Sequence, residues 1–75
     1  MPYIAVKAYP RDEEAKKALV EKLRETVMEV WGVPEKAVSI SIEEVQPEDW
    51  EEKVFKPEIL DHKEKMYIIR GEKLK

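Results

Sequence analysis

The chain contains no cysteine and no asparagine, a single glutamine (Gln46), a single histidine (His62) and only two glycines, Gly32 and Gly71. Without cysteine there is no thiol nucleophile, no disulfide and no Cys-based metal cluster. His62 lies among charges and reads as a solvent-facing residue, and no His/carboxylate grouping has metal-ligand spacing. Two isolated glycines cannot build a phosphate-cradling loop. No apolar run approaches the roughly 20 residues needed to span a bilayer. The N-terminus lacks the basic segment and apolar core of a signal peptide, so the expected location is the cytoplasm. With 14 basic and 17 acidic residues, net −3, there is no basic stripe of the kind that binds nucleic acid. The charged fraction of 41%, with so few amide side chains, is the bias of a heat-adapted protein and says nothing of function.

What is present fits one domain, residues 1–75. A chain of this size buries only about 60% of its unfolded surface. With neither disulfide nor metal to add stability, self-association is the remaining remedy, and a homo-oligomer is expected.

The pattern along the chain reads as an α/β (α+β) fold. Tyr3 to Tyr9 is a strand, with Ile4, Val6 and Ala8 on one face and Tyr3, Ala5, Lys7 and Tyr9 on the other. Pro10 ends it. A helix follows from Asp12 to Trp31: Asp12 suits the N-cap, and Glu13 and Glu14 complement the helix dipole. Ala15, Leu19, Leu23, Val27 and Val30/Trp31 recur at helical spacing as an apolar stripe, and Lys16 and Lys17 join a solvated face. Gly32 is placed for a C-terminal cap and Pro34 prevents continuation. Ala37 to Val45 alternates as a second strand. Strand, helix and strand make a β-α-β unit, which requires parallel strands. Gln46 to Asp49 opens a second helical region that Pro57 is expected to break or kink near Lys56. Met66 to Ile69 is a short β-like run suited to pairing with another subunit, and Glu72 to Lys75 is expected to fray.

Ordinary catalytic equipment is nearly absent, and this turns attention to Pro2. When Met1 is removed, the chain begins with a secondary amine fixed to the first residue of a strand. When Met1 is kept, that nitrogen is an amide and is not basic. The ordinary explanation of the proline is that a first strand residue loses nothing by lacking an N–H. The chemical one is that an α-amino group, with a reference pKa near 8, is pushed towards neutrality by an apolar pocket and a nearby cation. Such an amine is a good base for moving a proton on carbon beside a carbonyl. Arg11, just past the first strand, is either a surface cation or the group that holds an anionic substrate. Trp50, just past the second, is either a core anchor or the wall of the pocket.

Taken together, Met1-Pro2-x-Ile4-x-Val6-Lys7, a long helix with Glu14 and Lys16/Lys17 early in it, Val38-x-Ile40-x-Ile42-x-Glu44-Val45 and the aromatic Trp50 resemble the 4-oxalocrotonate tautomerase family. The resemblance runs from Met1 to about Trp50. Gln46-Pro47-Glu48-Asp49-Trp50 and the long tail look most like its bacterial branch of dimeric tautomerases. The resemblance implies a β-α-β fold with sheets joined across subunits, and keto–enol tautomerisation with Pro2 as general base and acid. It further implies Arg11 on the substrate carboxylate, Trp50 lining the pocket, and neither cofactor nor metal. One departure stands out. The founding enzymes polarise the substrate carbonyl with an arginine on the second strand, and Ser39 stands at that position here. A hydroxyl donates one neutral hydrogen bond and stabilises an enolate less than a guanidinium. A phenylpyruvate-like enol or 2-oxo acid therefore suits the chain better than a dicarboxylate. The rival reading is a non-catalytic oligomeric domain of the same fold that binds a small aromatic or acidic ligand. The uncovered face bearing Tyr3, Ala5 and Tyr9 makes a homodimer the first expectation and a hexamer the second.

Overall fold

Two strands of six residues, β1 (Tyr3–Ala8) and β2 (Ser39–Glu44), pair in parallel at the centre of the first of two units seen in the computed structural model, which describes all 75 residues. The units are Met1–Glu44 and Val45–Lys75. A parallel pair cannot be joined by a tight turn, because the chain must travel back before the second strand starts. The helix α1 (Glu13–Trp31) makes that return. The register sets Tyr3 opposite Ser39 and runs in step to Ala8 opposite Glu44.

The boundaries of α1 follow from its caps. The Asp12 carboxylate accepts the Ala15 N–H at 2.8 Å, with Glu13 and Glu14 in the first turn. At the other end Gly32 takes φ 67°, a left-handed conformation that only glycine adopts without strain, and donates its N–H to the Met28 carbonyl at 2.9 Å. The half-buried arc of the helix is Lys16, Val20, Leu23, Arg24, Val27 and Met28. It is rotated from the expected stripe, since Ala15, Leu19, Val30 and Trp31 are exposed. The apolar arc of this helix is wide, so helical spacing alone accommodates either stripe.

The second strand begins later than its alternation predicts. Ala37 donates to the Pro34 carbonyl and Val38 to that of Glu35, closing a 3₁₀ turn over Glu35–Ala37 before Ser39 joins the ladder. The inward face of the pair carries Ile4, Val6, Ile40 and Ile42, all half-buried. The outward face carries Tyr3 and Ala5 opposite Ser39 and Ser41, all exposed, with the Tyr3 hydroxyl 3.2 Å from Ser41 Oγ. No side chain of this unit is fully buried.

In the second unit, Gln46 precedes a 3₁₀ turn at Pro47–Asp49 and then a π-type helix at Glu51–Ile59. The expected break at Pro57 does not occur. Pro57 has no N–H to give, and the wider π-type turn carries the chain through the missing bond. The Leu60 N–H is shared between the carbonyls of Lys56 and Phe55, four and five residues back. The helical path fails only at His62, whose φ of −131° and ψ of 38° interrupt the 3₁₀ segment Leu60–Lys65. The terminal residues also depart from expectation: β3 (Ile68–Ile69) pairs with β4 (Glu72–Lys73), so the tail folds on its own apolar run. Arg70 and Gly71 make the turn with φ 50° and 84°, the positive pair that matches the twist of a two-residue hairpin. The Arg70 guanidinium lies 3.8 Å from the centre of the buried Phe55 ring and 2.9 Å from Glu51. Val45, Val54 and Phe55 are the buried core residues of this unit. No helix is long and apolar enough to cross a membrane.

Two expectations follow for stability. Asp12→Ala removes an N-cap and should cost about 1 kcal/mol, measured as a shift in the denaturant midpoint without a change in slope. At the end of β2, the Glu44 carboxylate accepts the Arg11 N–H at 3.0 Å and lies 3.2 Å from Lys16 Nζ. The Arg11 amide, then Lys16, hold Glu44 below its ordinary 4.5, while the bond to Glu44 raises Lys16 above its ordinary 10.5. A depressed carboxylate binds its proton more readily in the unfolded chain, so the stabilisation is present above about 4.5 and fades as pH falls through that range. A raised lysine contributes below about 10.5 and loses its contribution as pH climbs past it. Glu44→Gln should therefore be less stable than wild type at pH 7 and indistinguishable from it in strong acid.

Candidate active site

Pro2 is half-buried immediately before β1, and its carbonyl accepts the Ser39 N–H at 3.1 Å. The parallel register thus brings Pro2 and Ser39 to the same end of the sheet. A second link closes this end: the Met1 ammonium donates to the Ala37 carbonyl at 2.6 Å. Met1 itself is 87% exposed. Cleavage after it would free the Pro2 amine on a residue that the ladder already holds.

Arg11 lies at the opposite end. Six strand residues separate the Pro2 end from the Arg11 end, which is about 20 Å at ordinary strand rise. That is longer than an arginine side chain. Within one protomer, therefore, Arg11 does not reach the Pro2 nitrogen. Arg11 is exposed and lines a groove of about 360 Å³ together with Val6, Ala8, Leu19 and Ile42. Pro10 and the N-cap Asp12 flank it, and its N–H is held by Glu44.

Trp50 belongs to the second unit. It is half-buried and follows the Pro47–Asp49 turn with helical φ and ψ of −59° and −46°. Of the four residues singled out from the sequence, then, Pro2 and Ser39 are neighbours, Arg11 is at the far end of the same sheet, and Trp50 lies in the other unit. No three His, Asp or Glu side chains converge in a way that could hold a metal ion.

Three groups at the two ends have no site role in the sequence reading. The Ala37 carbonyl is a backbone acceptor and leaves no trace in the side-chain pattern. Glu44 and Lys16 do leave one. Glu44 continues the inward phase of Val38, Ile40 and Ile42, where an apolar residue belongs, and Lys16 continues the half-buried arc of α1. Two opposite charges on two inward faces are a legible sign of a pair.

The chain matches the family described as "Tautomerase enzyme" over residues 2–52, from Pro2 through both strands and α1 to just past Trp50. It is 36% identical over 64 residues to tautomerase PptA of Pectobacterium carotovorum, covering 83% of this chain and 84% of that protein. It is 40% identical over 60 residues to a probable tautomerase of Xylella fastidiosa, covering 79% of this chain and 73% of that protein. A probable tautomerase of Bacillus cereus is 48% identical over 46 residues, 60% of this chain and 75% of that protein. A match that starts at Pro2 and spans the whole β-α-β unit places the chain in the tautomerase family, as a small isomerase of the 4-oxalocrotonate tautomerase type.

Proposed function

We propose that the protein interconverts the enol and keto forms of a phenylpyruvate-like 2-oxo acid in the cytoplasm, with the Pro2 amine as general base and acid. The observation that carries this reading is the position of Pro2: half-buried, at a strand start, pinned through its own carbonyl to Ser39. The amine takes the proton from the enol oxygen or from one carbon and returns it to carbon. Ser39 offers a neutral hydrogen bond to the oxygen on which charge develops. Arg11 anchors the substrate carboxylate and Trp50 supplies an apolar wall.

The distance along β1 gives this reading a consequence. Since Arg11 does not reach its own Pro2, the arginine of a working site comes from a second copy of the chain. Two copies related by a twofold axis across the sheet run their strands in opposite directions, which sets the Arg11 end of one near the Pro2 end of the other. The exposed Tyr3 and Ala5 face and the absence of any fully buried side chain in the first unit support association. We take the 75 residues as one domain and the homodimer as the assembly, ahead of a hexamer.

Protein with Met1 retained should be inactive on phenylpyruvate enol and gain activity in proportion to the trimmed fraction measured by intact mass. Full activity of untrimmed protein would remove Pro2 from the mechanism. This comparison is cleaner than Pro2→Ala, because alanine also leaves an α-amine.

Arg11→Ala should raise KM for the carboxylate substrate more than it lowers kcat, since an anchoring cation acts in both ground and transition states. Ser39→Ala should change either constant by no more than about threefold, the loss of a neutral hydrogen bond at the low end of its range. A large loss at Ser39 with none at Arg11 would reverse the assigned roles.

Sedimentation at micromolar concentration should give twice the 8.9 kDa of the chain. A well-folded species at the monomer mass would contradict the shared site.

A further inference from the structure

Glu44 occupies the last position of β2, on the inward face, opposite Ala8 at the end of β1. Its carboxylate takes the backbone N–H of Arg11 at 3.0 Å rather than the guanidinium, and Lys16 Nζ stands 3.2 Å away. Lys16 is in turn 3.5 Å from Glu13 in the first turn of α1. Around Arg11 the backbone has few other freedoms. The Pro10 ring fixes its own φ, and Asp12 is committed to capping the helix. Between them the Arg11 N–H is held by the Glu44 carboxylate.

The geometry points to Glu44 as a positioning residue that fixes the Arg11 backbone so that the guanidinium projects towards substrate from a constant pivot, with Lys16 neutralising the carboxylate. The inference rests on the reading of Arg11 as the carboxylate anchor. Its physical content has two parts. A charged acceptor holds an amide more tightly than a neutral one. And an unneutralised carboxylate next to an anion-binding arginine would compete with, and repel, an anionic substrate. Lys16 removes that penalty. The depressed titration of Glu44, caused first by the Arg11 amide and then by Lys16, agrees with this arrangement. The charged groups around Glu44 are Arg11 and Lys16, with Glu13 behind Lys16; the Lys7–Glu43 pair is on the opposite face of the sheet.

The test uses the trimmed full-length protein with phenylpyruvate and its uncharged methyl ester as substrates. Glu44→Ala should raise KM for phenylpyruvate by roughly three- to tenfold, the span of one lost hydrogen bond, with kcat and the ester kinetics within about twofold. Glu44→Gln keeps an acceptor oxygen without the charge and should recover only part of the loss; Glu25→Gln, which breaks the exposed Lys22–Glu25 pair, serves as a control and should match wild type. Independently of any substrate, the Arg11 amide resonance in ¹⁵N–¹H spectra should titrate through the carboxylate range in wild type and lose that titration in Glu44→Gln. An equal rise in KM for acid and ester would show a general structural defect and overturn the inference. So would an Arg11 amide that titrates unchanged in Glu44→Gln. If Arg11→Ala raises KM and Glu44→Ala does not, the positioning role fails while the anchoring role of Arg11 stands. If Arg11→Ala itself leaves KM unchanged, the substrate reading fails and the positioning role with it.

Discussion

The parallel pairing of β1 with β2 is the constraint on which the rest depends. Its register sets Tyr3 against Ser39, and the Ser39 N–H then reaches back one residue to the Pro2 carbonyl. A proline at a chain start would otherwise be a mobile group. Here its backbone is part of a hydrogen-bonded ladder, so a nitrogen freed at this point is held in direction as well as in place. The same register carries Glu44 to the end of β1, where it meets the amide of Arg11. One pairing therefore organises both ends of the sheet.

The two ends have opposite chemistry, and a single copy cannot join them. At one end is Pro2 with neutral hydroxyl neighbours; at the other is a cation with its backbone clamped by an ion-paired carboxylate. A two-stranded sheet is marginal by itself, and the first unit has no fully buried side chain. Under the proposed function, the remedy for stability and the remedy for catalysis are the same event, association of two copies. In this account a monomer lacks activity because its arginine is at the wrong end, apart from any loss of stability.

The sequence foretold the β-α-β unit because its signals are local and agree with one another. Asp12 caps α1, Gly32 ends it in the left-handed conformation, and the alternation of Val38, Ile40 and Ile42 marks β2. The tautomerase resemblance rested on the same stretch and held. The later residues were less legible. Pro57 is an ordinary helix breaker, and nothing in the sequence shows that a wider π-type turn would absorb it. The hairpin at Arg70–Gly71 was hidden by the charges of Glu72 and Lys73, which read as a solvated end yet pair by backbone groups that no composition reveals. At the site, Pro2 and Ser39 were visible as residues, whereas the separation of Arg11 from Pro2 became apparent only once β1 had a length and a direction. By spacing alone Lys16 reads as part of a solvated face. Its partner Glu44 stands in phase with an apolar strand face, and that mismatch was the available clue.

The claim that binds these observations is that each site takes its amine from one copy and its arginine from another. Mixing two defective proteins tests it directly: Arg11→Ala with a free Pro2, which binds substrate weakly, and an inactive Met1-retained copy with an intact Arg11. After dissociation and reassociation in equal amounts, each site draws its amine and its arginine independently, so the mixture should recover about one quarter of wild-type activity at substrate well below KM. A mixture no more active than the sum of its two components, with exchange verified by mass, would contradict the shared site.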